Sequence, residues 1–365
     1  MSKTVIISGG GTGGHIFPAV SIAQEIKRRE PDTHVEFVGA VGGMELDVVP
    51  RYGFPIQAVW ISGIQRQLNL RNIIRNLSFP VKMVVSMVQA RRIVRKQKPD
   101  FVVGVGGFAS GPLGRAAAGM GVPLFLCEQN AYPGLVNRWL ASKAKRILLG
   151  NEDAQKYFEA GKTVITGNPI RPFTLPDQKE ARLALGLDPD KPTILSLGGS
   201  LGALRLNQAW QAQQEAVHNS GVQVIWQCGK RYYERLQAEI PAHPQLQVKA
   251  FIEDMAQAYA AADLIVSRAG GSTISELIAL SKPSILVPSP NVSEDHQTKN
   301  ARSLSEKGAA LLVKDVEAVE TLVPLALATV QDQDKMNTLQ QAISNMEKHD
   351  AAKEIVDEIF SSIKP

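Results

Sequence analysis

Short apolar runs alternate along the chain with longer amphipathic stretches. Each run has the length and residue types of a buried strand, and most are followed by a stretch with helical periodicity. The predicted strands are 4–8, 35–38, 56–60, 101–104, 124–127, 146–149, 163–166, 193–197, 222–228, 247–251, 264–266, 284–287 and 310–313. The clearest predicted helices are 17–29, 204–219, 255–261, 273–280, 296–307 and 318–329. This alternation predicts an α/β protein with parallel sheets that bind ligands at the strands' carboxyl ends.

The alternation pauses at the proline-rich stretch 167–172 and then restarts. Both halves begin with a strand, a Gly-Gly-x-x-Gly loop and a helix, and 365 residues are more than one ordinary core holds. We therefore predict two Rossmann-like domains facing a cleft. The first covers 1–168, with a C-terminal helix at about 346–365 packing back on it, and the second covers 169–345.

Net charge is +5 but is unevenly distributed, because 48–99 holds ten basic residues and no Asp or Glu. The one-sided charge indicates an acidic partner. Most of the apolar residues at 70, 73, 74, 77, 81, 84, 85 and 88 are expected to pack onto the sheet. The segment nevertheless holds more apolar residues than one helix face can bury: Ile73, Ile74, Leu77, Phe79, Met83 and Met87. This excess predicts an exposed apolar patch ringed by cations, which suits an anionic membrane surface. The predicted patch contains Arg71, Ile74, Arg75, Leu77, Phe79 and Lys82.

Other partners and cofactors are disfavoured by the composition. The basic segment has only one aromatic residue between Arg66 and Lys98, so it lacks the stacking platforms of a nucleic-acid binder. The first apolar run is too short for a secretory signal, and no run of about twenty apolar residues is present to span a bilayer. We expect a peripheral protein on the cytoplasmic face of the membrane, with reduced cysteines, no metal site and no cofactor.

Three glycine-rich loops come after predicted strands, at 9–14, 104–111 and 198–202, and Gly270-Gly271 makes a fourth turn. One such loop is a weak signal, whereas several at the ends of parallel strands favour ligand binding. A nicotinamide or flavin dehydrogenase would show an acidic residue at the end of its second strand. Here that strand runs into Gly39-Ala40, so the dehydrogenase interpretation is disfavoured.

The stretch DLIVSRAGGSTISELIALSKPSILVP, at 263–288, predicts a nucleotide seat. A helix that opens at Ser272-Thr273 would present N–H groups to a phosphate, and Glu276 would accept hydrogen bonds from a ribose diol. The same residues also fit a capping box, in which Glu276 reaches back to a backbone N–H near Thr273. These residues alone leave both interpretations open.

His15 closes the first glycine loop at the start of a predicted helix. It is either a locally packed helix residue or a base that takes a proton from a substrate hydroxyl. Asn130 comes after the strand 124–127, and Arg171 in the connector is placed to reach a phosphate. Without a metal, helix N-termini, hydroxyls and Arg171 would stabilise the charge of a leaving group.

The motifs IISGGGTGGHIFPAV, VGVGGFASGP, LCEQNAYPGLVNRWL, GNPIR, LSLGGSLGALRLN, SRAGGSTISEL and DHQTKNA resemble the MurG family of bacterial glycosyltransferases. The resemblance covers nearly the whole chain in order. It implies a glycosyltransferase B fold that moves GlcNAc from UDP-GlcNAc to undecaprenyl-pyrophosphoryl-MurNAc-pentapeptide, called lipid I. The first domain would face the acceptor and the membrane, and the second would bind UDP-GlcNAc.

The resemblance also implies roles for individual residues. The donor-binding residues would be Thr12, Gly13, Gly14, Asn130, Arg171, Ser200, Ile252, Gly271, Ser272, Thr273, Ile274, Ser275, Glu276 and Gln297. The acceptor would lie against Gly13, Gly14, Gly106 and Gly107, with His15 as the candidate base. Two alternatives remain open: a UDP-sugar transferase acting on another lipid such as diacylglycerol, and a nucleotide-binding protein without activity.

Overall fold

Two parallel sheets organise the chain in the computed structural model, which describes residues 3–63, 77–170, 173–199 and 201–363. The first unit comprises Met1–Arg171 and His349–Pro365, and the second unit comprises Pro172–Lys348. Each unit has its own sheet and its own core. Among the described helices, none has the length and apolar character needed to cross a bilayer.

The strands match the predicted runs closely. They are β1 Thr4–Gly9, β2 His34–Ala40, β3 Ile56–Val59, β4 Phe101–Gly106, β5 Leu124–Glu128, β6 Arg146–Leu149 and β7 Thr163–Ile165 in the first unit. The second unit has β8 Thr193–Leu197, β9 Gln223–Gln227, β10 Leu246–Lys249, β11 Leu264–Ser267, β12 Ser284–Leu286 and β13 Leu311–Leu312.

Helices connect the strands. The first unit has α1 Gly13–Arg29, α2 Glu45–Val48, α3 Phe79–Gln97, α4 Ser110–Gly119 and α5 Leu135–Leu140. The second unit has α6 Gln178–Ala184, α7 Leu204–Ala212, α8 Gln214–Ser220, α9 Lys230–Glu239, α10 Met255–Ala261, α11 Gly271–Leu280, α12 His296–Ser305, α13 Ala318–Gln331 and α14 Gln333–Ser344. The final helix, α15 Ala351–Ile363, belongs to the first unit.

The first sheet has the strand order β3-β2-β1-β4-β5-β6-β7, and every pairing is parallel. The order reverses between β1 and β4, so the loops after these two strands emerge side by side. Such a reversal is the position at which doubly wound sheets bind ligands. Helices cover both faces of the sheet. Helices α1 and α15 contribute to the hydrophobic core on one face, and α3 and α4 contribute to the core on the other.

The C-terminal helix α15 is amphipathic, and its apolar residues Ile355, Val356 and Ile359 are buried beside those of α1. The guanidinium of Arg146 at the start of β6 pairs with Glu358 at 2.8 Å. Burial of an apolar stripe is what holds such a helix to a distant part of the chain.

The second sheet has the order β10-β9-β8-β11-β12-β13, again entirely parallel. The reversal falls between β8 and β11. Trp210 and Trp226 are fully buried on one face, and their indole N–H groups donate to Ser196 and Asn207 at 2.8 and 3.0 Å. The indole rings therefore fill the core without leaving a buried donor unpaired.

The prediction of two doubly wound parallel sheets is confirmed, but α1 and α11 begin earlier than expected and a third predicted helix is broken. Helix α1 begins at Gly13 and not at 17, so Pro18 lies inside the helix and not in its first turn. The sequence suggested a later start because glycines are rare in helices. The predicted helix 204–219 is broken at Gln213, whose φ of −116° and ψ of 19° leave helical geometry.

The expectation that most apolar residues of the basic segment pack onto the sheet is wrong for Val81, Val84 and Val88. Helix α3 buries Ser86, Ala90, Ile93 and Val94. Residues spaced by three or four positions on the opposite face are instead exposed, namely Val81, Val84 and Val88. Leu77, which comes before the helix and belongs to the predicted patch, is also exposed. Phe79, predicted as part of the exposed patch, falls on the buried face and packs against the core of the first unit.

Candidate active site

The loop between β1 and α1 carries the first group of predicted residues. Gly11 has a φ of +83°, a conformation that favours glycine. Thr12 is the extended N-cap residue, and Gly13, Gly14 and His15 are the first three residues of the helix. The predicted donor and acceptor residues of this loop therefore surround a helix N-terminus, where partial positive charge gathers.

The imidazole of His15 is oriented by the loop that precedes it. Its Nδ1 lies 3.1 Å from the carbonyl oxygen of Gly10 and 3.4 Å from the hydroxyl of Thr12. A carbonyl oxygen only accepts, so the contact requires the proton on Nδ1. Nε2 is then the accepting nitrogen of the neutral ring.

The loop after β4 packs directly on the His15 loop. A Cβ atom added at Gly106 would lie 2.7 Å from His15 Nε2, and one added at Gly107 would lie 2.5 Å from the Gly10 carbonyl oxygen. Both glycines have positive φ angles, of 109° and 87°. The structure thus brings His15, Gly106 and Gly107 together at the reversal of the first sheet.

Glu45 lies beneath this pair of loops and was not predicted. It is 1% exposed, and its carboxylate accepts from the backbone N–H groups of Gly11 and Ala40 at 2.9 and 2.8 Å. It begins the four-residue helix α2. Hydrophobic periodicity gives no sign of such a residue, because its partners are backbone groups from two other segments.

Glu128, the last residue of β5, positions the predicted residue Asn130. Its carboxylate accepts from the N–H and the side-chain amide of Asn130 at 3.0 and 3.1 Å, from Gly134 N–H at 2.9 Å and from Asn137 at 2.8 Å. Neighbouring Gln129 donates to the Val105 carbonyl at 2.9 Å, which ties this loop to β4. Glu128 therefore fixes the conformation of the loop after β5, and with it the position of Asn130.

In the second unit, α11 begins at Gly271 with Gly270 as its extended N-cap. Thr273 is therefore the third helical residue and not a cap, so the capping-box interpretation is wrong. Glu276 lies in the second turn, where its Oε2 accepts from the hydroxyl of Tyr259 at 2.7 Å. The tyrosine orients the carboxylate from the adjacent helix α10.

The first turn of α11 carries hydroxyl groups at an electropositive end. The N–H groups of a helix's first turn have no partner within the helix. Ser272 Oγ is buried and makes no hydrogen bond within the described residues, whereas Ser275 Oγ donates to the Gly271 carbonyl at 3.1 Å. Ile274 is buried in the core, and its N–H already donates to Gly270. The arrangement suits an anion bound by backbone N–H and serine hydroxyl groups.

Three further residues of the second unit are two predicted donor residues and one residue of the loop before α11. Ile252, after β10, is buried. Gln297, in the first turn of α12, accepts from Ser289 N–H at 2.8 Å. Arg268 was not predicted; it donates to the Val287 carbonyl at 3.0 Å and pairs with Asp315 at 2.5 Å, which fixes the loop leading into α11.

Five predicted residues lie outside the described part of the chain: Arg71, Ile74, Arg75, Arg171 and Ser200. Of the patch residues that are described, Leu77 is 73% exposed. The ammonium of Lys82 lies 2.9 Å from Ser62 Oγ and 5.8 Å from the centroid of the Trp60 ring. The exposed apolar stripe of α3 is therefore flanked by a cation.

Neither a metal cluster nor a reactive thiol is found among the described residues. No group of three or more His, Cys, Asp or Glu side chains there is arranged to hold a metal ion. Burial, together with the neighbouring charge of Glu128, raises the pKa of the Cys127 thiol to about 12. Cys127 therefore stays protonated and is a packing residue.

Comparisons with known proteins agree with the geometry of both units. Residues 5–149 match the glycosyltransferase family 28 N-terminal domain, and residues 193–355 match the family's C-terminal domain. The chain is similar to the UDP-N-acetylglucosamine--N-acetylmuramyl-(pentapeptide) pyrophosphoryl-undecaprenol N-acetylglucosamine transferases of Cytophaga hutchinsonii and Parabacteroides distasonis. The identities are 48% and 47%, over 98% of this chain and 96% and 98% of the relatives.

Among solved structures, the crystal structure of Acinetobacter baumannii MurG is 29% identical, with a TM-score of 0.76. The match covers 98% of this chain and 99% of that one. Sequence and structure agree over nearly the whole length. The chain belongs to glycosyltransferase family 28 and, within it, to the MurG family.

Proposed function

We propose that this protein transfers GlcNAc from UDP-GlcNAc to the C4 hydroxyl of the MurNAc unit of lipid I, forming lipid II for peptidoglycan synthesis. The observation that carries the proposal is the 48% identity, over 98% of the chain, to a transferase named for this donor and acceptor. Transfer to another lipid such as diacylglycerol is not favoured, because the full-length relatives carry the same name.

The second unit binds the donor. The N-terminus of α11, with Ser272 and Thr273, binds the diphosphate through backbone N–H and hydroxyl groups. Glu276 accepts hydrogen bonds from the two ribose hydroxyls, and its contact with Tyr259 OH supports this role by fixing the carboxylate. Further donor contacts are proposed for Gly271, Ile274, Ser275, Gln297 and, at the uracil edge, Ile252, with Arg171 and Ser200 at the diphosphate.

The first unit binds the acceptor and supplies the base. The pyrophosphate of lipid I lies against the glycine loops that contain Gly13, Gly14, Gly106 and Gly107, and Thr12 and Asn130 contact the donor sugar. His15 Nε2 takes the proton of the C4 hydroxyl as that oxygen attacks the anomeric carbon. The attack inverts an α-linked donor to a β-1,4 linkage, and UDP leaves with the bonding electrons.

The exposed stripe of α3 binds the membrane at its cytoplasmic face. Val81 and Val84 of α3, with Leu77 just before the helix, provide apolar area, and the ten basic residues of 48–99 provide charge. Each basic residue near an anionic lipid surface contributes about 1 kcal/mol. The surface would hold the enzyme where the polyprenyl chain of its acceptor is anchored.

The proposal is tested by transfer of labelled GlcNAc from UDP-GlcNAc to lipid I, or to a shortened polyprenyl analogue, with EDTA present. We expect labelled lipid II and no dependence on added divalent cation. A parallel reaction offers diacylglycerol in the same vesicles and should yield no product. Labelled diacylglycerol without lipid II would overturn the proposed acceptor, and UDP-GlcNAc binding without any transfer would overturn the proposed activity.

A further inference from the structure

A single peptide group lies between the carboxylate of Glu45 and the imidazole of His15. The N–H of Gly11 donates to Glu45 Oε2 at 2.9 Å. The carbonyl of Gly10, which belongs to the same amide, lies 3.1 Å from His15 Nδ1. Carboxylate, peptide and imidazole thus form one continuous chain of two hydrogen bonds.

The surrounding residues hold the carboxylate in this position. Glu45 Oε1 accepts from Ala40 N–H at 2.8 Å, so both oxygens are engaged. A Cβ atom at Gly10 or at Gly43 would overlap the carboxylate, and one at Gly39 would lie 2.5 Å from Glu45 Cγ. Three glycines therefore leave the space that the carboxylate fills, and its geometry is that of a built contact and not of a mobile surface group.

The chain of hydrogen bonds has a defined electrostatic effect on the imidazole. Successive hydrogen bonds polarise one another, so a negative acceptor on the N–H of an amide makes its carbonyl oxygen a stronger acceptor. A stronger acceptor at Gly10 favours the proton on Nδ1 and leaves Nε2 as the accepting nitrogen. It also stabilises the imidazolium that forms when His15 takes a proton, as a carboxylate does by direct contact in a Ser-His-Asp triad.

We propose that Glu45 is a positioning residue for catalysis, which orients and polarises His15 through the Gly10–Gly11 peptide. The inference rests on the proposed function, in which His15 is the base. In that step the C4 hydroxyl proton moves to Nε2, the C4 oxygen bonds to the anomeric carbon, and the bond from that carbon to the UDP oxygen breaks. Glu45 touches no reacting atom.

The first test is Glu45→Gln, which preserves shape but offers one accepting oxygen to two N–H donors. We expect kcat to fall about 10- to 100-fold, as for loss of a charge-assisted hydrogen bond, with KM for UDP-GlcNAc within about twofold. The matched control is Asp47→Asn, which removes the same charge from an exposed position of the same short helix. It should leave both constants unchanged, and an equal loss in both variants would overturn the proposal.

A double-mutant cycle with His15→Ala separates action through His15 from general damage to the loop. If Glu45 acts through the imidazole, Glu45→Gln costs no further activity once His15 is gone. Multiplicative losses in the double variant would show that Glu45 acts independently, and would overturn the inference.

A spectroscopic test needs no substrate and so stands apart from the proposed function. In ¹⁵N NMR at alkaline pH, where imidazoles are neutral, His15 should carry its proton on Nδ1. Glu45→Gln should shift it toward a mixture of tautomers, and Glu45→Asp, which keeps the charge, should shift it less; the aspartate variant also serves if the glutamine variant does not fold. An unchanged tautomer in both variants would overturn the inference, whereas absence of lipid II from the unaltered enzyme would overturn only the proposed function.

Discussion

The two units open with the same sequence pattern, a strand and then a Gly-Gly-x-x-Gly loop, yet the next helix begins at a different point relative to each loop. After β1 the helix begins inside the loop, at Gly13, and His15 falls in its first turn. After β8 the helix begins only at Leu204, beyond the loop. There Gly202 packs against the carbonyl of Cys228 and against Gly229, so this part of the loop serves close packing of backbone.

In the second unit the polar groups gather instead at α11, where hydroxyls lie at the helix start and Glu276 lies one turn later. The first unit therefore presents a titratable ring above a buried carboxylate, which suits proton transfer. The second presents an electropositive helix end beside an oriented carboxylate, which suits a diphosphate and a diol. The position at which the helix begins, more than the glycine pattern, decides which groups a loop presents.

The largest effect should come from His15→Ala. Removing a general base slows a reaction by about 10²- to 10⁴-fold, so kcat for lipid II formation should fall within that range. Binding of UDP-GlcNAc, measured by calorimetry, should stay unchanged because no donor contact is assigned to His15.

The matched control is His34→Ala. It removes an exposed imidazole at the start of β2, on the side of the same sheet where the amino ends of the strands lie. It should retain full turnover. Near-normal turnover in His15→Ala would contradict the assignment of the base and, with it, the contrast between the two units.

A smaller effect, on binding, should result from Glu276→Ala. Hydrogen bonds to a charged carboxylate contribute about 1.5–3 kcal/mol, so KM for UDP-GlcNAc should rise about 10- to 100-fold while kcat changes little. Tyr259→Phe removes only the hydroxyl that orients the carboxylate and should raise KM by less. A fall in kcat at unchanged KM in Glu276→Ala would place this residue in the chemical step and remove the distinction between the two sites.

The sheets were predictable because buried parallel strands are continuous apolar runs, and the runs at 146–149 and 193–197 match β6 and β8 residue for residue. Parallel strands also bring their carboxyl ends to one side of the sheet, but only the family resemblance placed the loops of His15 and Gly106 together, because the strand order that makes β1 and β4 neighbours has no signal in the sequence. Helix starts were less predictable. Gly13-Gly14 and Gly270-Gly271 have the composition of loops, yet α1 and α11 begin at or within them.

Residues that act on backbone groups escaped prediction. Glu45 and Glu128 accept from N–H groups of other segments, and Arg268 donates to a carbonyl after β12. Such contacts depend on tertiary proximity and leave no period in the sequence. The exposure of the valines on α3 was not predicted for a different reason. They have the same helical period as residues that face a core, and the structure shows that the buried face is instead the one with Ala90, Ile93 and Val94.

The smallest predicted effect concerns this exposed face. Val84 is 65% exposed on α3, and Val84→Ser should weaken sedimentation with anionic vesicles about fivefold, as loss of about 1 kcal/mol of apolar burial requires. Val316→Ser is the matched control, since Val316 is 74% exposed but lies in the second unit. It should bind vesicles as the unaltered protein does. Equal weakening by both substitutions would mean that membrane contact is not confined to the first unit, and no weakening by Val84→Ser would remove α3 from the membrane surface.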